Sequence, residues 1–334
     1  VVTNADELDN RVYYYAILDE PAPVATAEAS QAPEAGNPEA YAVAQQVPID
    51  MGDVEVSAPV TPESFDGDIR DLPRAPPPPP GPPVEIPEGQ LPDGQGDGWD
   101  VETDAEPPAE ESMYDPVLDT GGFDYADAFT PHVDFEGMGF TNVAPPDTVG
   151  DVGPNHYIQM INHSSGSQFQ IWDKNGTSLA GPTVLDSLWT AGGACASGSG
   201  DPIVVYDPLA DRWVMSEFAG SGNHLCIYVS KTADPVTGGW WLYDFPTPNF
   251  PDYPKYGVWP DGYYVSTYEG SILGVYALDR ASMLNGSPAT SQRFTISSLT
   301  PSTTGGCTNI RNTRILPSDL DGAAPPAGAP NYFR

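Results

Sequence analysis

Lysine is nearly absent from this chain: three residues of 334, Lys174, Lys231 and Lys255. Twelve basic residues face 47 acidic ones, a formal charge of −35. Phosphate affinity comes from Lys and Arg, so this balance opposes nucleic-acid binding. It equally opposes docking to anionic lipid. It favours cations, basic partners and solubility in salt. No run of about 18 apolar residues exists, so no segment is predicted to span a membrane. Common catalytic signatures are missing too: no G-x-S-x-G, Walker A, G-x-G-x-x-G, H-E-x-x-H, C-x-x-C-H or S-x-D-x-G-x-x-W box occurs. Helical periodicity is lacking as well; only ALDRASML (277–284) reads as one helical turn.

What charge there is lies unevenly. Residues 1–140 hold 31 of the 47 acids against three bases, Arg11, Arg70 and Arg74. Residues 141–334 hold the other 16 acids against 9 bases. The chain therefore divides near 140 into an acidic, Pro-rich arm (1–140) and a second domain (141–334). Within the arm, APPPPPGPP (75–83) predicts polyproline II, at roughly 3.1 Å per residue. RVYYYAIL (11–18) reads as a strand, and YDPVLDTGGFDYADAF (114–129) as an aromatic anchor on something else. Ordering backbone costs about 1–2 kcal/mol per residue, and the arm has no apolar core to offset that. An ordered arm must lie on its own domain or on neighbouring chains, with 11–18 adding to a sheet edge. The rest of the domain is expected to stay folded without residues 1–110.

The second domain carries a repeat. Asp147, Asp201, Asp252 and Asp321 are each followed 7 to 9 residues later by a Pro (Pro154, Pro208, Pro260, Pro330) and then an aromatic strand start. The first three units continue into second strands, FQIWDK (169–174), LCIYVSK (225–231) and LGVYALDR (273–280). The first two Pro-to-Pro spacings are 54 and 52 residues. Several short strands per unit at this period predict all-β structure and a β-propeller-like array: about three complete blades and the start of a fourth. The fourth unit stops at Phe333 and Arg334. That predicts an inner strand at Phe333 and a continuation, either as a separate chain cut after Arg334 or beyond it, to cover open apolar faces.

PPDTVGDVGPNHYIQMIN, GDPIVVYDPLADRWVMSEF, FPDYPKYGVWPDGYYVST, YALDRASML and LPSDLDGAAPPAGAPNYF, in that order, resemble a family of large secreted bacterial proteins with propeller-like ectodomains. The resemblance spans about residues 144–334 and implies secretion and a propeller. It supplies no catalytic residue.

The recurring Asp147, Asp201, Asp252 and Asp321 have two readings. An acidic ring near a central channel would hold Ca²⁺ through oxygen ligands; alternatively each Asp caps its own turn through backbone N–H groups. PSDLDG (317–322) lacks the remaining ligands of an EF-hand loop. The four His (132, 156, 163, 224) show no zinc spacing. Arg212 and Glu217 flank a strand with Trp213, and a glycosidase would need a second carboxylate about 5 to 9.5 Å away. Trp240, Trp241, Tyr243, Trp259, Tyr263, Tyr264 and Tyr268 read either as sugar-stacking platforms or as filling between blades. Of three Cys, Cys195 and Cys226 lie in the second unit, one before its first strand and one in its second, and are expected to form a disulfide. Cys307 is left over for a partner elsewhere.

Together these features predict an extracellular, cell-surface structural or binding subunit, more readily a non-enzyme. Its partners would be other protein chains, reached through the arm. A carbohydrate-active enzyme or a carbohydrate-binding adhesin stands as the alternative, decided by whether carboxylates converge in an open pocket.

Overall fold

The structure, a computed structural model, describes residues 14–17, 54–78, 80–85, 133–270, 272–296, 315–322 and 324–333. Its strands are β1 Tyr14–Ile17, β2 Glu55–Val56, β3 Glu63–Phe65, β4 Val84–Glu85, β5 Val133–Glu136, β6 Val143–Ala144, β7 Val149–Val152, β8 His156–His163, β9 Gly166–Asp173, β10 Ser178–Val184, β11 Ile203–Asp207, β12 Arg212–Phe218, β13 His224–Ser230, β14 Trp240–Pro246, β15 Asp252–Trp259, β16 Gly262–Tyr268, β17 Leu273–Leu278 and β18 Ser291–Ile296. One short helix, α1 (Arg280–Leu284), is capped by Asp279, whose side chain accepts from the Ser282 N–H. The chain is all-β in several antiparallel sheets.

Three of those sheets are successive meanders. Sheet 1 has the order β10-β9-β8-β7, sheet 2 β11-β12-β13-β14-β3, and sheet 3 β15-β16-β17-β18-β2. The first strands are neighbours, β7 beside β11 and β11 beside β15. Each unit forms because alternating residues serve two different interfaces, so both faces of a strand are apolar and its runs read as nearly continuous. Ile158, Met160, Phe169 and Ile171 of sheet 1 meet Val204, Trp213, Met215 and Tyr228 of sheet 2. The opposite face of sheet 2, with Val214, Ile227, Tyr243 and Phe245, meets Tyr256, Val258, Tyr263 and Tyr276 of sheet 3.

The two outermost faces are covered as well. Tyr157, Ile161 and Trp172 of sheet 1 lie under Val133, Phe135 and Met138, with the Phe135 ring 5.7 Å from that of Trp172. Tyr268, Leu273, Val275 and Ile296 of sheet 3 lie under Ile315 and Phe333. Phe333 makes an isolated bridge with Pro317 rather than a strand, and its ring sits edge-on to Tyr264 at 6.0 Å. The apolar faces expected to be open at the ends of the array therefore carry chain from the flanking segments.

The described part of the arm is strapped across the outer edges of these sheets. β2 pairs with β18, Gln292 opposite Val56 and Arg293 opposite Glu55. β3 pairs with β14, from Trp240 opposite Phe65 to Leu242 opposite Glu63. A 3₁₀ turn, Ile69–Asp71, follows, with Asp68 as its cap. Ile69 is 1% exposed and belongs to the cluster between sheets 1 and 2. Beyond it, the Ala75 N–H donates to the Pro182 carbonyl, and the Thr183 hydroxyl donates to the Pro73 carbonyl. β4 runs parallel to β6. Of RVYYYAIL, Tyr14–Ile17 is a strand and pairs antiparallel with β5; the aromatic stretch 114–129 lies outside the described residues. Because Phe65 and Ile69 are buried in the domain, deleting residues 1–110 removes part of its core, so the expectation that the sheets stay folded without the arm no longer follows.

Cys195 and Cys226 are bonded, with Cα atoms 5.5 Å apart. The bridge ties the short 3₁₀ turn Ala194–Ala196 to the middle of β13. Cys307 lies outside the described residues.

Candidate functional site

Asp147 and Asp201 stand in the loops that lead into β7 and β11, Asp252 is the first residue of β15, and Asp321 lies in a bend after β18. Asp147 (φ 42°) and Asp201 (φ 51°) hold left-handed backbone, which Asp tolerates better than most side chains. In the third unit that conformation falls on Tyr253 (φ 51°), one residue after Asp252. Each of these three residues stands seven positions before its unit's Pro, which makes Tyr253, rather than Asp252, the positional counterpart of the other two. Asn162, fully buried at the end of β8, joins the first two turns. Its Nδ2 donates to Asp147 Oδ2 at 2.6 Å and its Oδ1 accepts from the Asp201 N–H at 2.8 Å.

Asp201 lies close enough to Asp147 and Asp252 for both to act on it. Burial first, then the charges of Asp147 and Asp252, push the Asp201 carboxyl up to about 8, with Lys255 opposing. A carboxyl pair sharing a proton is the expected ground state of such a cluster. Asp321 lies elsewhere, near Asp151 and Asp319. Asp151 Oδ2 accepts the Tyr206 N–H of β11 at 2.6 Å, and Asp319 Oδ1 accepts the Val258 N–H of β15 at 2.7 Å. Tyr206 and Val258 are equivalent, each two residues before its unit's Pro. Burial holds Asp151 up, to about 6. Among the described residues, no group of three or more His, Cys, Asp or Glu is arranged to hold a metal ion.

The shared proton makes stability depend on pH. The folded state keeps a proton on Asp201 that the unfolded chain releases near pH 4, so stability falls as pH rises from about 4 to about 8 and levels off above that. Asn suits the left-handed backbone and can donate to Asp147. Asp201→Asn should therefore lose less melting temperature than wild type between pH 5 and pH 8.5. Equal losses in the two proteins would reject the shared proton.

A second carboxylate cluster lies between sheets 1 and 2. Glu217 on β12 is 1% exposed, in a strand whose neighbours are apolar. Its Oε2 accepts the Ser167 N–H at 2.9 Å and its Oε1 accepts the Tyr228 hydroxyl at 3.1 Å. Burial drives its carboxyl well above the usual range, and Asp186 adds to the push. Asp186, itself raised by burial, accepts the Gly198 N–H at 3.0 Å. Glycine at 198 is required by close approach, because a Cβ there would meet Glu217 Oε2 at 2.1 Å. This arrangement is closed: the carboxyl is held neutral and hydrogen-bonded inside the interface rather than presented to a substrate. The signal for it was a single Glu within an apolar run, WVMSEF, though its Asp186 partner is 31 residues away in sequence.

The remaining candidates are dispersed. Burial lowers His156 and His163; His224 pairs with Asp244 at 2.5 Å; His132 lies outside the described residues. Arg212 caps its own turn through the Ala210 and Asp211 carbonyls. Trp240, Tyr243 and Tyr263 are buried as filling between sheets, Tyr268 is buried on the outer face of sheet 3, and Trp241 is half-buried under the Lys231 ammonium, 3.9 Å from its ring. The exposed aromatic side chains among the described residues are Tyr253 and Tyr332. Comparison of the chain with protein-family models, with curated proteins and with solved structures finds no match to any of them.

Proposed function

We propose that the three meander sheets are consecutive blades of a propeller-type scaffold, and that the chain is an extracellular structural or binding subunit that meets other protein chains through strand addition. The observation that carries this reading is the strap: two segments of the arm extend two sheets at their outer edges by backbone pairing. Edge addition is a general mode of chain-to-chain recognition, and this molecule already uses it internally. The disulfide suits an oxidising compartment. The five sequence blocks resembling secreted propeller-like proteins point the same way. A non-catalytic role accords with carboxylates that are either paired in turns or shut between sheets.

Sedimentation velocity on the full chain over a range of concentrations tests the reading. Association that rises with concentration is expected. A monomer at every concentration would refute the assembly role.

A further inference from the structure

The three outer edges are not treated alike. At sheet 3 the edge strand β18 is covered by β2, and Arg293 on β18 grips Glu55 of the added strand at 3.0 Å. At sheet 2 the edge strand β14 is covered by β3, and Lys231 grips Asp66 just beyond it. Each occupied edge thus combines backbone pairing with one base on the sheet and one acid on the added segment. At sheet 1 the edge strand β10 receives no added strand. The strap hydrogen-bonds to it at Pro182 and Thr183, and the Ile69–Asp71 turn packs beside it. Among the described residues, residues 178–181 pair with β9 on their inner side, and no strand is added on the other side.

Where strap and edge diverge, a cavity of about 160 Å³ opens, lined by Ile69, Arg70, Leu72 and Arg74 on one side and residues 178–183 on the other. Arg70 is engaged by Asp68 at 2.5 Å. Arg74 is exposed and has no ion pair or hydrogen bond among the described residues. At this edge the base, Arg74, stands on the strap rather than on the sheet, and among the described residues it has no acidic partner.

We infer that the β10 edge is a docking site for an extended acidic stretch of the arm of a second copy of this chain, with Arg74 taking one of its carboxylates in the cavity. The occupant follows from what fills the two equivalent edges: this chain's own acidic segments, EV at 55–56 and ESF at 63–65. The arm holds 31 of the chain's 47 acids, so charge complementarity with an arginine-lined edge is built in. This inference rests on the assembly reading above and adds the surface and the residue that perform it.

The test compares wild type with Arg74→Glu and Arg74→Lys in the full chain. A synthetic peptide of residues 54–66 (VEVSAPVTPESFD) serves as competitor. Arg74 has no partner to lose, so the variants should melt with wild type. Arg74→Glu is expected to weaken self-association by about tenfold or more, as loss of a charge-assisted contact does. Arg74→Lys should retain most of it, and the peptide should dissociate wild-type assemblies. Association that is unchanged in Arg74→Glu and indifferent to the peptide would overturn this inference while leaving assembly standing. A chain that stays monomeric would overturn both.

Discussion

Ile69→Ala is expected to lose about 2–5 kcal/mol of stability, as truncation of a fully buried aliphatic side chain does. That is a large loss for a residue in a segment whose composition reads as a linker. Ile69 is 1% exposed and packs among residues of sheets 1 and 2, while its N–H donates to the Val236 carbonyl at 2.9 Å. The control lies in the same strap: Val56 is 63% exposed, and Val56→Ala should stay within about 0.5 kcal/mol of wild type. Urea melts of the two variants decide it. If Ile69→Ala melts with Val56→Ala, the strap does not belong to the folded core.

Arg280→Met should cost about 3–5 kcal/mol, because it strands a buried carboxylate. Asp207 at the end of β11 is fully buried. It accepts from Arg280 Nε at 2.7 Å and Nη2 at 2.9 Å, and from the Tyr263 hydroxyl at 2.8 Å. The pair clamps sheet 2 to sheet 3, since Tyr263 lies on β16 and Arg280 opens α1. Adding Asp207→Asn to Arg280→Met removes the stranded charge and should recover part of the loss. A double variant less stable than the Arg280→Met single would show that the guanidinium contributes only its packing.

The repeat units, their strands and the Cys195–Cys226 pair were legible because they depend on local pattern: alternation, turn residues, and two cysteines within one unit. Register at the third unit was not. Asp252 drew attention as the recurring acid, yet backbone geometry makes Tyr253 the counterpart of Asp147 and Asp201. A spacing allowed to run from 7 to 9 residues singled out Asp252, whereas the position seven before Pro260 is Tyr253. The strap was hidden for a different reason. Segments of two and three residues carry almost no periodic signal, and what orders them is an edge far away in sequence, as with Ser57 accepting from the Ser291 N–H across 234 positions. The same distance in sequence concealed the cluster around Glu217 and the coverage of the end sheets. Of the four Asp residues read as one ring, Asp201 has Asp147 and Asp252 within reach, while Asp321 sits with Asp151 and Asp319.

The strap also runs against the order of synthesis. It is made before the three sheets but meets the latest-made of them first, pairing at β18, then at β14, then touching β10. No docking edge for β2 exists until residue 296 has been made, and contacts of such long range are slow to form. The strap thus locks only after the three sheets it crosses, and its locking certifies that all three are in place. A nascent chain stalled before β18 would hold Glu55 and Val56 with no edge to join, a difference a protease could read.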